Sequence, residues 1–279
     1  MVPIIDWSPR KMNNEKDIQR RYFTYLKISS FLILCLFNIL AYSKDLPLYF
    51  YGDTSSNEWY GAIQGLQEAN AQGKFLQLNY KLIHKTNLDD VKADKPYAVI
   101  SSLSPAKLRQ ALLANPQIPF LNVSSIAEHF SSLCAPNLFH IRPHPSALVA
   151  AEAAWKPEGR IEAKAVLWHH SFKKYAAAQL NKRYKKNADR HMNSESWAGW
   201  ASVKLFSDTL ARNGPESEIS VVNFLKNSLA FDGQKGKDLF FNGLNYLEQP
   251  LLLIHGDKIV GEISTSQILS AESGAFSCK

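Results

Sequence analysis

The sequence predicts an α/β fold in which helices flank a sheet of parallel strands. The first indication is a set of three short apolar runs, at residues 98–100, 119–123 and 138–141. Small or polar residues follow each run, and a helical pattern comes next; after Pro105, for example, leucines recur at helical spacing. Because short strands that alternate with helices need crossover connections, these strands are expected to run parallel.

Composition and net charge indicate a globular protein and argue against nucleic-acid binding. A chain of 279 residues that is 46% hydrophobic and 20% charged is long enough for one or two domain cores. The formal net charge is +7, but residues 182–186 with Arg190 form the only basic cluster. A nucleic-acid-binding protein would carry an extended basic face, so no nucleic-acid partner is predicted and this cluster is interpreted as a solvated helix face.

The amino terminus has the layout of a signal peptide. A basic region that ends at Lys27 precedes an apolar core at residues 31–40, and Ala41-Tyr42-Ser43 follows. Small residues at the first and third places of this triplet suit cleavage after Ser43, so residues 1–43 are predicted to direct export to the periplasm. The apolar run is short for a membrane span, but an uncleaved anchor remains the alternative.

The next stretch predicts strand, helix and strand. Residues 46–52 form the first predicted strand, and residues 75–83, with alternating apolar side chains, form the second. Between them one face of a helix ending near Gly73 is predicted by the spacing of Trp59, Ile63, Leu66 and Ala69. The loop at residues 53–57 either contacts a ligand or only caps this helix.

Several motifs resemble a known family. The segments W-Y-G-A-I-Q-G-L, I-P-F-L-N-V-S-S and L-C-A-P-N-L-F-H-I-R-P resemble the first lobe of type I periplasmic binding proteins. Within that superfamily the chain is most similar to the substrate-binding proteins of ABC transport systems encoded with PQQ-dependent alcohol dehydrogenases. The resemblance implies a parallel-sheet lobe whose loops hold the polar head of a ligand, and it assigns residues 44–155 to that lobe.

The chain departs from the family after Trp155. A type I binding protein would cross here to a second lobe of about 100 residues or more, a domain in its own right. Instead Lys156-Pro157-Glu158-Gly159 predicts a turn, and residues 161–168 hold at most one strand. We therefore expect residues 156–175 to form a short bypass, with most of the second lobe missing.

Similarity to the family resumes in residues 176–279, which are expected to complete the first lobe. The segment M-N-S-E-S-W-A-G-W resembles the family's M-x-x-x-x-W-A-A-W-type helix, for which Ser194 is the predicted cap. Trp197, Trp200, Val203 and Leu210 fall on one face of that helix. Farther on, two apolar runs on either side of Gly256-Asp257 predict a β-hairpin.

Motifs for catalysis or for cofactor binding are absent from the sequence. It has no G-x-S-x-G, no Walker loop, no G-x-G-x-x-G and no H-E-x-x-H. His169 and His170 are adjacent, so on a helix or a strand they would point apart and could not readily share a metal ion. The sequence therefore predicts neither an enzyme, nor a cofactor, nor a metal site.

Two cysteines remain after the predicted cleavage, Cys134 and Cys278. In an oxidising compartment an even number of cysteines suggests a disulfide, so these two are predicted to pair.

The candidate binding residues follow the strand ends. Parallel strands place their carboxyl ends at one edge of the sheet, where open α/β sheets bind ligands. Hydroxyl groups beside backbone N–H groups at helix starts suit a carboxylate or a hydroxyl. The serines so placed are Ser101, Ser102, Ser104, Ser124 and Ser125, and Trp197 or Trp200 is expected nearby. The alternative is that these serines only cap helices.

Two functions compete at this point. In the first, the protein is an exported solute-binding component of an ABC importer linked to PQQ-dependent alcohol oxidation; its partner is the permease and its ligand is small and polar or alcohol-related. In the second, a single lobe without a ligand cleft docks onto a periplasmic dehydrogenase, cytochrome or permease. A concave polar pocket at the Ser101–Ser125 edge would favour the first, and a flat apolar patch of roughly several hundred Å² would favour the second.

Overall fold

A five-stranded parallel sheet, in the order β2-β1-β3-β4-β5, lies at the centre of the fold. The structure, a computed structural model, describes residues 43–124, 135–156 and 161–266. The strands of this sheet are β1 (Lys44–Tyr51), β2 (Leu78–His84), β3 (Ala98–Ser101), β4 (Phe120–Asn122) and β5 (Leu138–His140). The predicted α/β fold with a parallel sheet is therefore confirmed.

Helices connect and cover the strands. The helices among the described residues are α1 (Asn57–Leu76), α2 (Asp90–Asp94), α3 (Pro105–Ala114), α4 (Pro145–Trp155), α5 (Ala177–Ala188), α6 (Ser194–Asn213) and α7 (Val221–Asn227). Within this part of the chain, no helix combines the length and the apolar character that crossing a bilayer requires. The predicted signal segment lies outside the described residues, apart from Ser43 at its end.

Two smaller sheets follow in the chain. The first has the order β11-β10-β6, and the second has the order β7-β8-β9. Their strands are β6 (Lys164–Val166), β7 (Phe231–Asp232), β8 (Asp238–Phe241), β9 (Leu247–Glu248), β10 (Pro250–His255) and β11 (Lys258–Ser264). The β10–β11 pair is antiparallel and turns at Gly256, whose φ of 57° favours glycine. The predicted hairpin is thus confirmed.

Both faces of the sheet are buried at β3, β4 and β5, and this explains why these strands are nearly continuous apolar runs. Alternate residues of β1 supply the two faces. Leu48 and Phe50 belong to the larger apolar cluster, which includes α6, whereas Tyr49 and Tyr51 belong to the smaller one. The smaller cluster is completed by α3 through the buried Leu108 and Leu112.

Helices α1 and α6 touch through their backbones. A Cβ atom built on Gly61 would lie 1.9 Å from the carbonyl oxygen of Ser196. One built on Gly199 would lie 1.9 Å from the carbonyl oxygen of Glu58. Gly65 is nearly as close, at 2.8 Å from the Trp200 oxygen. Because any side chain would collide with backbone at the first two positions, glycine is required there for the helices to pack.

The predicted end of the first helix and start of the second strand were both wrong. Helix α1 continues past Gly73 to Leu76, and Gln77 ends it in the left-handed conformation with φ 58°. A Cβ on Gly73 would lie 2.4 Å from the carbonyl oxygen of Leu78. Glycine at position 73 therefore lets the returning strand β2 approach the helix, and it does not stop the helix.

The predicted cap of α6 was wrong by one residue. Asn193 is the N-cap: its side chain accepts a hydrogen bond from the Ser196 N–H, and Ser196 Oγ accepts one from the Asn193 N–H. The Ser194 hydroxyl is used elsewhere, because it accepts hydrogen bonds from the backbone N–H groups of Leu167 and Trp168. Ser194 thus joins the start of α6 to the end of β6.

The connection between α4 and α5 contains β6. This three-residue strand pairs with β10 of the hairpin, and turns occupy most of the described residues between it and α5. The described residues of the chain belong to one compact unit. That residues 156–175 bypass a missing second lobe stays a prediction.

The glycine contact between α1 and α6 makes a testable prediction. Gly61→Ala should lower the free energy of unfolding by about 1–3 kcal/mol, because the added methyl group overpacks a backbone contact. Helix propensity alone would give the opposite sign, by up to about 1 kcal/mol. Chemical denaturation of the two proteins measures the difference.

Gly243→Ala is the matched control for that substitution. No atom lies within 4 Å of a Cβ placed at Gly243, so its stability should stay within about 0.5 kcal/mol of wild type. Equal effects of the two substitutions would show that the helices do not need the close approach.

Candidate functional site

The strand register brings the predicted loops together. Tyr51 pairs with Ser101, Ser101 with Asn122, and Asn122 with His140. These four residues form a row across neighbouring strands, so the chain leaves the sheet at adjacent points. We call the residues directly after this row the carboxyl edge; they are Gly52-Asp53, Ser102–Ser104, Val123-Ser124 and Ile141–His144.

The two serines after β3 have different environments. Ser101 is fully buried, and its hydroxyl accepts a hydrogen bond from the Leu103 N–H at 3.1 Å. Ser101 therefore shapes the loop and has no surface for a ligand. Ser102 is half-buried beside Gly52, where a Cβ atom would come within 2.2 Å of the Ser102 hydroxyl oxygen. Glycine at position 52 leaves room for that hydroxyl at the edge.

Ser104 and Ser124 also lie at this edge. Ser104 is the exposed N-cap residue of α3, yet its side chain makes no capping hydrogen bond. Ser124 is half-buried, and its backbone N–H donates to Asn122 Oδ1 at 3.0 Å. Ser125 lies outside the described residues. The structure therefore brings together Ser102, Ser104 and Ser124 from the predicted set.

The two tryptophans do not lie at the functional surface, contrary to expectation. Trp197 and Trp200 are buried in the core. The indole N–H of Trp197 donates to the carbonyl oxygen of Gly233 at 3.2 Å, and that of Trp200 donates to Glu68 Oε2 at 3.0 Å. The indole N–H groups are thus hydrogen-bonded inside the protein. The helical spacing of these tryptophans therefore marked positions in the core and not in a binding site.

Charged side chains that were not among the predicted binding residues also lie at the carboxyl edge. Arg142, after β5, forms a salt bridge of 2.9 Å with Glu195 in the first turn of α6. Asp53, after β1, accepts hydrogen bonds from the hydroxyl and the backbone N–H of Ser55, and these bonds lower the pKa of Asp53. Arg142 directly follows a predicted strand, and this position in the sequence could have identified it as a residue of the carboxyl edge.

A buried histidine helps to position Ser124 in the loop that follows β4, which we call the serine loop. The Asn122 side-chain amide donates to His140 Nδ1 at 3.0 Å, while its carbonyl oxygen holds the Ser124 N–H. The His140 ring stacks on Tyr246 with centroids 4.2 Å apart. Burial, and then the nearby His144, lower the pKa of His140 to about 3. The imidazole is therefore neutral at physiological pH, and it positions Ser124 through Asn122.

Two hollows lie among the described residues near the ends of the sheet. One is a cavity of about 30 Å³ between His144 and Tyr246, large enough for a water molecule but not for a solute. The other, of about 240 Å³, is lined by Lys95, Tyr97 and Gln117, which precede β3 and β4. It therefore lies at the amino end of these strands, away from the carboxyl edge.

The expectation that His169 and His170 point apart was wrong. Both residues lie in the turn that follows β6, in neither a helix nor a strand, and their ring centroids are 4.3 Å apart. A carboxylate oxygen of Asp257, in the β10–β11 turn, lies 3.4 Å from Nε2 of each ring. Adjacent side chains point apart in a helix or a strand, but they need not do so in such a turn.

Cys134 and Cys278 both lie outside the described residues. The disulfide between them stays a prediction.

Comparisons with known proteins bear on the fold. The sequence matches no protein-family model and no curated protein. Among solved structures, the branched-chain amino acid transporter substrate-binding protein from Streptococcus pneumoniae, in complex with isoleucine, is similar with a TM-score of 0.60 and 11% identity. The match covers 79% of this chain and 99% of that one.

Two further structures agree with this match. A leucine-, isoleucine-, valine-, threonine- and alanine-binding protein from Brucella ovis has a TM-score of 0.65 at 10% identity, over 81% of this chain and 96% of its own. An ABC transporter solute-binding protein from R. palustris, in complex with benzoate, has a TM-score of 0.53 at 12% identity, over 79% and 95%. The chain therefore has the α/β fold of type I periplasmic binding proteins.

The environment of His140 predicts how stability depends on pH. In the unfolded chain the imidazole takes up a proton below about pH 6.5, whereas the folded protein resists protonation until about pH 3. This histidine's contribution is thus present above pH 6.5 and is lost as the pH falls towards 3. His140→Gln should reduce the loss of stability between pH 7 and pH 4.5 by at most about 2.5 kcal/mol.

Urea denaturation at the two pH values measures this dependence. His84→Gln serves as the control, because it removes a histidine from the end of β2, at the opposite edge of the same sheet. An unchanged pH dependence in the His140 variant would contradict the buried, neutral imidazole.

Proposed function

We propose that the protein is a solute-binding component of an ABC import system and that it binds a small carboxylate- or hydroxyl-bearing solute at the carboxyl edge. The observation that carries this proposal is the grouping of Ser102, Ser104 and Ser124 beside the start of α3. The fold supports it too, because several of the similar structures are substrate-binding or solute-binding proteins of ABC transporters.

The chemistry of the edge suits an oxygen-bearing group. At the start of α3, Pro105 has no N–H and the Lys107 N–H bonds to the Ser104 carbonyl oxygen, so the partial positive charge of the helix end, together with the serine hydroxyls, favours a carboxylate. The Ser104 hydroxyl makes no capping hydrogen bond, and Ser102 and Ser124 are both half-buried rather than sealed in. The ligands named for three of the similar structures, isoleucine, leucine and benzoate, all carry a carboxylate.

The docking alternative is less well supported by this edge. A docking module would present an apolar surface where the serines lie. The side chains described there include three serines, the carboxylate of Asp53 and the Arg142–Glu195 salt bridge. Such a polar surface favours a solute over an apolar partner face.

Export and the link to PQQ-dependent alcohol oxidation are parts of the proposal that rest on the sequence. The apolar segment before Ser43 supports export to the periplasm with cleavage after Ser43. The motifs shared with the alcohol-oxidation family support an alcohol-derived solute. If residues 156–175 replace the second lobe, the solute is less enclosed than the usual 70–90%, and weak binding, in the range of about 10 µM to 1 mM, is expected.

A substitution at Ser104 tests solute binding. Ser104→Asp adds a negative charge where a carboxylate would lie, but Asp is as good an N-cap residue as Ser. Isothermal titration with acetate, benzoate, leucine, ethanol and PQQ identifies the solute class. The affinity for carboxylates should fall about tenfold in Ser104→Asp, a difference of about 1.4 kcal/mol.

Ser104→Asn is the matched control, because it keeps the cap and the approximate size without the charge. Its affinity should stay within about twofold of wild type. Equal binding by the Asp and Asn variants would place the site elsewhere. Binding of acetate, benzoate or leucine without binding of ethanol or PQQ would contradict the link to alcohol oxidation. It would leave the proposed carboxylate site intact.

A further inference from the structure

A cluster of imidazoles and one carboxylate lies outside the carboxyl edge. Its members come from three connections: His169 and His170 after β6, His191 between α5 and α6, and Asp257 in the β10–β11 turn. One ligand atom each from His169, His170 and Asp257 lies within 4.8 Å of the others. The ring of His191 lies 4.4 Å from that of His170. We call these four residues the His–Asp cluster.

The distances in this cluster match those of a tetrahedral metal site. With metal–nitrogen and metal–oxygen bonds of about 2.1 Å, neighbouring ligand atoms around a tetrahedral ion lie about 3.4 Å apart. Asp257 Oδ1 lies 3.4 Å from Nε2 of both His169 and His170. Two of the three ligand–ligand distances are therefore already those of a bound ion, and a rotation of the half-buried His170 ring would adjust the third.

The contacts of His169 direct its Nε2 atom towards Asp257. Its Nδ1 lies 2.8 Å from the Ser171 hydroxyl and accepts a hydrogen bond from the Ser171 backbone N–H at 3.3 Å. In this tautomer Nε2 carries the proton and can donate it to Asp257, and a bound ion would replace that proton. The side chain of His169 is 15% exposed and that of Asp257 is 78% exposed, so an ion can enter from solvent.

We propose that His169, His170 and Asp257 bind a divalent transition-metal ion of the Zn²⁺ class. Two imidazoles and one carboxylate form a ligand set that suits Zn²⁺, and they leave a fourth position for water or for His191. On binding, the ion takes the Nε2 lone pair of each histidine. For His169, the Nε2 proton exchanges through solvent to Nδ1, which then donates to the Ser171 hydroxyl and no longer accepts from the Ser171 N–H. The bound ion ties the β10–β11 turn to the segment after β6.

Zinc titration of the protein without a histidine tag tests this site. After removal of metals with a chelator, isothermal titration should show one Zn²⁺ per chain, with a dissociation constant below about 100 µM. Asp257→Asn and His170→Ala should each weaken binding by about tenfold or more. Because Asp257 is mostly exposed, its substitution leaves the fold intact, and circular dichroism verifies this.

His255→Ala is the control, since it removes an imidazole from the same hairpin. The Nδ1 atom of His255 lies 2.8 Å from the carbonyl oxygen of Glu162, outside the cluster. Its zinc affinity should equal that of wild type. Cobalt(II) in place of zinc gives a second readout, because a tetrahedral site produces intense visible absorption that Asp257→Asn should lose.

Two outcomes would overturn the site. One is the absence of zinc binding tighter than about 100 µM in wild type. The other is binding with the same affinity in wild type, Asp257→Asn and His170→Ala, which would place the ion on other histidines.

Discussion

The backbone contact between α1 and α6 positions much of the fold around it. Helix α1 begins just after β1, and its close approach to α6 through Gly61 and Gly199 holds the two helix starts side by side. Trp197 and Trp200 of α6 are buried, and their indole N–H groups bond to the Gly233 carbonyl oxygen and to Glu68 of α1. Glu195, in the first turn of α6, consequently reaches Arg142 at the carboxyl edge. Packing at two glycines thus determines which charges border the candidate site.

The sequence predicted β3, β4 and β5 because both faces of the sheet are buried there, and such strands are short apolar runs that are visible in the sequence. It did not predict what packs against a glycine. Gly73 therefore indicated a helix end, although it allows β2 to approach α1. The tryptophans of α6 illustrate the same limit, since helical spacing shows that residues share a face but not whether a ligand or another helix covers it. The rings of the adjacent His169 and His170 lie close together because a turn lacks the periodicity of a helix or a strand.

The proposed site depends on neutral hydrogen-bonding groups, and residues in the core of the sheet hold these groups in position. Asn122 bonds both the buried His140 and the Ser124 N–H, so the core of the sheet determines where the serine loop lies. Burial keeps His140 uncharged, and a charged imidazole there would disrupt that support. At the front, Ser102 and Ser104 leave hydroxyl groups at the surface beside the start of α3. A pre-formed support behind a few fixed polar groups is one property of solute-binding sites.

The central claim is that a carboxylate binds at the start of α3, and backbone amide NMR tests it most directly. Titration of the uniformly ¹⁵N-labelled protein with acetate, with chloride as the anion control, reports each N–H group separately. We expect saturable shifts for the amides of Ser102, Ser104 and Ser124 with acetate and not with chloride. Saturable shifts confined to other residues, or equal shifts with chloride, would contradict it.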